Sequence, residues 1–321
     1  MRTIVTLTPN PAIDGASEAD TVRPIHKVRT TNERYDPGGG GINVARVVHE
    51  LGGEMLAIYM GGGATGAVLD DLLDRRALPR RRVPIADHTR ISHSVFERSR
   101  GLEYRFVPDG PLVTEAEWRA CLAALEELRA DYLVLSGSLP RGVPDDFYCR
   151  AAQVATRAGA KIVLDTSGEP LRATLEAGGL ELVKPSLGEF RKLVGDTLES
   201  AAAQDAAALE IVRSGRVRLL AVTMGGEGAL LAGKEGVLRL KPPDAVVRSA
   251  VGAGDSFVGA MTFALARGWA PESAFAYGVA AGTAATLRPG TQLCSKPDVE
   301  RLYAQIRERG RASERTPTSA S

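Results

Sequence analysis

Short apolar, β-branched runs alternate along the chain with longer stretches of helical period. Thr3–Leu7, Met55–Tyr59, Tyr132–Leu135, Lys161–Leu164, Leu180–Val183 and Arg218–Thr223 each precede or follow an amphipathic stretch, which predicts an α/β fold with a doubly wound, mostly parallel sheet. Tyr132-Leu-Val-Leu135 and Leu219-Leu-Ala-Val222 are apolar at every position, the pattern of central strands covered on both faces. Two segments depart from it. Val22–Tyr35 and Arg90–Val107 are polar, β-branched or alternating, with no helix between their strand-like runs, and predict a small added β sheet. Ile91-Ser-His-Ser-Val-Phe-Glu97 alternates imperfectly, so one face of that sheet is solvated unless a ligand or second subunit covers it. A lid over an active site fits that pattern. The reading is one domain over 1–310 with lid segments at about 15–35 and 89–107, followed by a flexible tail over 311–321 rich in Arg, Ser, Thr and Ala.

The composition narrows the chemistry. A chain of 321 residues with 44% apolar content can bury a sizeable core. Its formal charge of +1 carries no footprint of a nucleic-acid partner. Cys121, Cys149 and Cys294 are far apart and form no C-x-x-C pair, so neither a disulfide framework nor a zinc site is indicated and a reducing cytoplasm is expected. Met1 to Ile13 lacks the pattern of a signal peptide, and no apolar run reaches the roughly 18 residues of a membrane helix. Small-molecule chemistry is therefore the expectation.

Val251-Gly-Ala-Gly-Asp-Ser256 opens a long helical pattern from Phe257 to Arg267. Backbone N–H groups of Gly252, Ala253 and Gly254 at a helix start, aligned with its positive dipole end, suit a phosphoryl oxygen gaining charge. Asp255 beside them can accept a hydroxyl proton during transfer of that group, or simply cap the helix. In Asp36-Pro-Gly-Gly-Gly-Gly-Ile-Asn-Val-Ala-Arg46, Gly38, Gly39, Gly40 and Gly41 let backbone approach a ligand closely, and Asn43 offers a donor and an acceptor to a sugar hydroxyl. Asp14 is a second candidate for sugar hydroxyls, or a turn residue. Thr223-Met-Gly-Gly-Glu-Gly-Ala229, between strand-like runs, could wrap a nucleotide or be an ordinary turn. Lys27, Arg29, Arg90 and Arg105 in the lid could meet a substrate phosphate, for which Arg has the fitting fork geometry. Gly61-Gly-Gly-Ala-Thr-Gly66 matches the dinucleotide fingerprint G-x-G-x-x-G formally, but 35 glycines make a chance match easy. The P-loop pattern is absent, so an ATP site must be of another kind.

Taken together these residues resemble the PfkB carbohydrate kinases, whose fold is ribokinase-like. The resemblance runs from about Arg2 to Arg307 and rests on the Gly38–Arg46 and Val251–Ser256 segments in that order, reinforced by Thr6-Leu-Thr-Pro-Asn-Pro-Ala-Ile-Asp14, Ser136-Gly-Ser-Leu-Pro140, Leu182-Val-Lys-Pro185 and Ala280–Leu287. It is greatest with the 6-phosphofructokinase branch. The resemblance implies transfer of phosphate from MgATP to the C1 hydroxyl of fructose 6-phosphate, with Asp255 as base and Gly252, Ala253 and Gly254 as anion hole. It implies sugar-phosphate contacts from Asp14, Gly38 to Asn43, Arg90 and Ser138, with Lys27 reaching across from a neighbouring subunit in a dimer paired through the lid. ATP is expected along Lys184, Ser186, Thr223, Gly225, Gly226, Gly228 and Thr283, with Glu189 holding Mg²⁺ through water.

The chain also departs from the family pattern. Ser186-Leu-Gly-Glu189 stands where members carry Asn-x-x-Glu, so the Asn is replaced and the Glu kept. Ser249, Val251, Ala285 and Gly290 match a monovalent-cation loop, whereas Arg288 and Gln292 replace Asn and Arg there and count against potassium dependence. The alternatives are a kinase for fructose 1-phosphate or tagatose 6-phosphate, whose Gly-Gly-Lys-Gly has Gly40 at the Lys position here, and a non-catalytic sugar or nucleotide sensor.

Overall fold

The computed structural model describes residues 2–195 and 198–314. In chain order the elements are β1 (Ile4–Thr8), β2 (Ala12–Ala19), β3 (Thr31–Gly38), α1 (Gly40–Glu50), β4 (Met55–Gly62), α2 (Gly63–Asp74), β5 (Arg80–Ile85), β6 (Arg90–Glu97) and β7 (Leu102–Phe106). They continue as α3 (Glu115–Glu126), β8 (Tyr132–Ser136), α4 (Phe147–Arg157), β9 (Lys161–Asp165), α5 (Gly168–Ala177), β10 (Leu180–Val183), α6 (Leu187–Val194) and α7 (Ala201–Arg213). The last are β11 (Val217–Thr223), β12 (Ala229–Gly233), β13 (Gly236–Leu240), α8 (Ala253–Ala266), α9 (Pro271–Thr286) and α10 (Lys296–Glu314).

Nine strands form the main sheet in the order β13-β12-β11-β10-β9-β8-β1-β4-β5. All neighbours run parallel except at the β11–β12–β13 end, where two antiparallel pairs close one edge. Every residue of β1, β8 and β10 is buried, including Thr6, Thr8 and Glu181, as in strands covered on both faces. The two-residue period of a strand divides them between two cores. Ile4, Tyr132 and Val134 pack with α1, α8 and α9 through Ile42, Phe257 and Phe275, while Val5, Leu7, Leu133 and Leu135 meet Phe147, Tyr148 and Phe190 on the other face.

β1 is flanked by β4 on one side and β8 on the other, so the winding reverses at β1. A crevice opens at the carboxyl ends of strands beside such a reversal, the place where open α/β sheets take ligands. A separate four-stranded sheet, ordered β3-β2-β6-β7, connects directly to it, because β2 follows β1 and β3 runs into α1.

Three elements differ from the sequence reading. The lid begins at Ala12 rather than near residue 15, and Asp14 is a strand residue rather than a turn residue. The segment Ala12-Ile-Asp-Gly-Ala-Ser-Glu-Ala19 is small and polar, so its strand is set by pairing with β3 and β6 and not by propensity. β5, with its run of arginines and Pro84, escapes pattern reading for the same reason and sits at the sheet edge where proline is tolerated. α10 runs to Glu314, past the point at which the sequence reads as a tail; the remaining tail residues lie outside the described ones.

Candidate active site

The loop Ser249–Gly252 turns into α8 with Gly252 at its N-cap, φ +72°. That left-handed conformation is one glycine adopts freely, and it places Asp255 in the first turn of the helix. Among the described residues the N–H groups of Gly252 and Gly254 have no backbone acceptor, whereas that of Ala253 leans on the Ala250 carbonyl at 3.4 Å. The anion turn therefore offers fewer free donors than the three expected, Ala253 being partly engaged. Lys184, buried at the end of β10, pairs with Asp165 at the end of β9 at 3.0 Å. Its ammonium lies so near Gly254 that a Cβ there would stand 3.4 Å from it. Burial opposes the charge on Lys184, but Asp165, followed by Glu189 and Asp255, holds it above the usual lysine range.

Asp255 is half-buried and accepts a hydrogen bond from Asn43 Nδ2 at 2.9 Å. Burial, then the neighbouring Asp165 carboxylate, pushes its acid up to about 7. Asn43 is itself fixed on α1, because Arg46 one turn on donates to its Oδ1 at 3.0 Å.

The glycine run leading into α1, Gly38 to Gly41, has a reason at each position. A Cβ at Gly38 would strike the Asp14 carboxylate, at Gly40 it would lie 2.3 Å from Ser136 Oγ, and at Gly41 it would lie 2.7 Å from the Leu7 carbonyl. Gly39 alone needs φ +100°. Much of this close approach is thus to the chain's own strand ends, and only Gly39 and Gly40 line the cavity.

That cavity, about 310 Å³, is bounded on the body side by Asp255, Gly252, Asn43, Asp165 and Glu189, and on the lid side by Asp14, Arg90, Ser92 and Arg105. Ser138 closes one wall, its Oγ accepting from Asn10 Nδ2 at 3.2 Å. Arg90 donates to the carbonyls of Pro108 (2.9 Å) and Asn10 (3.0 Å), yet its Nε is buried with no partner. Such an orphan donor is costly without a ligand, about 1–3 kcal/mol. Burial raises the Asp14 carboxyl, against the pull of Arg46, Arg90 and Arg105.

The nucleotide residues are placed less uniformly. Thr223 bridges to Ser186, the turn Gly225–Glu227 beyond it is exposed, and Gly228 is tight because a Cβ would lie 2.1 Å from the Leu240 carbonyl. Ser186 caps α6: it accepts from Glu189 N–H, and Glu189 Oε2 accepts from Ser186 N–H (2.7 Å) and Oγ–H (2.9 Å). Ser-x-x-Glu is a capping box, so serine keeps the helix start well made where the family has Asn. Thr283 donates its hydroxyl to the Val279 carbonyl inside α9 at 2.8 Å, which leaves its oxygen as an acceptor. Lys27 is exposed on the β2–β3 connection and does not line the cavity of its own chain.

The glutamate and aspartate oxygens at the cavity suit a hard cation such as Mg²⁺, and no cluster of three or more ligand-type side chains occurs among the described residues. Of the monovalent-cation residues, Ser249 Oγ accepts from Val251 N–H (3.2 Å) and Ser249 N–H reaches the Thr286 carbonyl (3.5 Å) beside Ala285. Gly290 sits under the lid against Arg34 and Ala16, and Arg288 turns away to Asp298 and Ser295, each at 2.8 Å. The dinucleotide-like Gly61–Gly66 turn is filled by its own chain: a Cβ on Gly62 would lie 1.9 Å from the Ile85 carbonyl, and Thr89 bonds Gly62 through both side chain and backbone.

Pattern reading missed Arg46, Asp165, Ser136 and Asn10. Arg46 carried a signal, standing three residues beyond Asn43 on one helix face, and Asp165 carried another, ending a buried strand at the sheet's carboxyl edge.

The pfkB family carbohydrate kinase model matches residues 10–298. ATP-dependent 6-phosphofructokinase isozyme 2 of Mycobacterium tuberculosis is 44% identical over 302 residues, which span 94% of this chain and 88% of that protein. The crystal structure of phosphofructokinase-2 from Escherichia coli in complex with fructose-6-phosphate superposes with a TM-score of 0.91 at 40% identity, covering 96% of this chain and 100% of that one. The structure of the same protein in complex with potassium gives 0.92 at 41% identity, with the same coverage. These matches establish the ribokinase-like, doubly wound fold with its β lid. The chain belongs to the pfkB family of carbohydrate kinases.

Proposed function

We propose that the chain is an ATP-dependent 6-phosphofructokinase, converting fructose 6-phosphate and ATP to fructose 1,6-bisphosphate and ADP, with Asp255 as general base. The observation that carries this reading is a single cavity with Asp255, its acid raised to about 7, on the floor and the orphaned Arg90 Nε under the lid. A sugar phosphate spanning the two would point its C1 hydroxyl at Asp255. As the C1 oxygen bonds the γ-phosphorus and the bond to the leaving ADP oxygen breaks, the hydroxyl proton passes to Asp255. The free N–H groups at the start of α8 and the Lys184 ammonium face the charge that develops. Mg²⁺ held through water by Glu189, with Asp165 near, would neutralise the ATP phosphates. The strong resemblance to phosphofructokinase-2 relatives supports the choice of fructose 6-phosphate. Gly40 supports it too, since any side chain there collides with Ser136, against the Lys of the fructose 1-phosphate and tagatose 6-phosphate kinases. A sensor would need no base. The reading is tested by ³¹P NMR of fructose 6-phosphate and MgATP incubated with enzyme: a new phosphomonoester on C1 supports it, and ADP release without a sugar bisphosphate contradicts it.

The acid limb of kcat/KM follows from the raised Asp255. With fructose 6-phosphate, kcat/KM should fall about tenfold per unit below pH 7, because the base must be ionised. Replacing Asp165 with Asn removes a negative neighbour and leaves the Lys184 charge uncompensated; both lower the Asp255 acid, so the limb should move to lower pH. A limb that stays in place or moves up contradicts the assignment.

The single domain carries the lid as an insertion and pairs through it. Register places Asp14, Arg90, Ser92 and Arg105 on one face of the lid and Tyr35, Ile91, Leu102 and Phe106 on the other. On the second face those four large side chains are 44–60% exposed beside the less exposed Ser17, His93 and Glu97, and a partner lid would cover them. Light scattering after size exclusion should give a dimer or a multiple of it, and a fully active monomer would remove Lys27 from the site. The departures at Arg288 and Gln292 predict little response to potassium. No described helix is long and apolar enough to cross a membrane.

A further inference from the structure

A second cleft, about 780 Å³, opens behind the catalytic one, between the end of β3, the last turns of α1 and α2, and the segment joining α9 to α10. Five arginines line it, Arg34, Arg46, Arg75, Arg76 and Arg288, with His49, against two carboxylates, Asp36 and Glu50. Those carboxylates are already engaged. Asp36 is shared by Arg46 and Arg76 and accepts from Thr291 Oγ1 at 2.6 Å, and Glu50 accepts from Lys296 N–H at 3.0 Å. Arg34 has no carboxylate partner among the described residues: one amino group reaches the Pro289 carbonyl at 3.4 Å, and its buried Nε has no partner.

We infer that this cleft is a second anion site, taking a small metabolite that carries two or more phosphoryl groups. Guanidinium groups from four separate segments surround a space too large for one phosphate; Arg46 and Arg76 already pair with Asp36, Arg75 with Asp71 and Arg288 with Asp298, so a polyanion there would share these guanidiniums with their carboxylates. The cleft also shares a side chain with the catalytic one. Arg46 lines it with one amino group near Asp36, at 3.6 Å, and holds Asn43 Oδ1 with the other, and Asn43 holds Asp255. An anion drawing on Arg46 would loosen Asn43, so occupancy would lower kcat; only this consequence rests on the catalytic reading above.

The test measures binding without turnover. Inorganic tripolyphosphate is titrated calorimetrically, in EDTA and without sugar, into Arg90→Ala protein, in which the catalytic phosphate contact is removed. Two sites should remain, the start of α8 with Lys184, where the ATP phosphates are placed, and the arginine cleft. Adding Arg34→Gln and Arg76→Gln should weaken the second by at least about tenfold, the scale of losing charge-assisted hydrogen bonds. Arg75→Gln alone, on a side chain 72% exposed, should weaken it by a smaller factor and guards against misfolding of the double change. Binding with no component that responds to Arg34, Arg75 and Arg76 overturns the inference whatever the fate of the kinase assignment.

Discussion

Asp255→Asn lowers kcat for fructose 6-phosphate by about 10²–10⁴, the range for losing general-base catalysis, while ATP affinity and folding change little. The substitution conserves shape. Asparagine can sit in the first turn of α8 and turn its amide oxygen to the Asn43 donor, so the contact at 2.9 Å survives and only the proton acceptor is lost. Initial rates with saturating MgATP, alongside nucleotide binding by calorimetry, separate the two effects. Near-wild-type turnover would remove Asp255 from the chemistry and leave it as a helix-start residue, the plainer of the two readings its position allows.

Arg90→Ala reduces kcat/KM for fructose 6-phosphate by roughly one to two orders of magnitude, because charge-assisted hydrogen bonds to phosphate contribute about 1.5–3 kcal/mol. Binding at the phosphate end positions the hydroxyl at the other, so kcat falls as well as KM rising. Arg90 also ties the lid to the Asn10 and Pro108 carbonyls, and its loss could loosen the lid for every substrate. Unphosphorylated fructose separates these roles. Its residual rate should hardly change if Arg90 acts on phosphate, and should fall in parallel if the lid tie is the whole effect.

The central sheet is legible because its strands are buried on both faces and read as short, apolar-rich runs, unbroken in Tyr132–Leu135 and interrupted only by threonine in β1 and Glu181 in β10. β2 is not, because small and polar residues such as Ala12, Gly15 and Ser17 become a strand only when β3 and β6 pair with it, and pairing partners are far apart in sequence. The site divides in the same way. Asp255 and Asn43 were visible through local signals, glycine turns running into helices. Asp165 and Lys184 join only when neighbouring strands end side by side, so their ion pair, and its effect on Asp255, needed coordinates. Ser186 was visible as a departure, but its role in a capping box with Glu189 is as local as the other signals and could have been read from Ser-x-x-Glu ahead of a helix. The sequence presents the four glycines as room for a ligand, whereas Gly38 and Gly41 make room for the Asp14 carboxylate and the Leu7 carbonyl.

The most direct test of the account is the ratio of kcat/KM for fructose 6-phosphate to that for fructose 1-phosphate, measured on one wild-type preparation by coupled ADP release at saturating MgATP. A sugar whose phosphate meets Arg90 presents its C1 hydroxyl to Asp255, so the account predicts a ratio well above one. A ratio below one, or a preference for a free sugar over both, would contradict it.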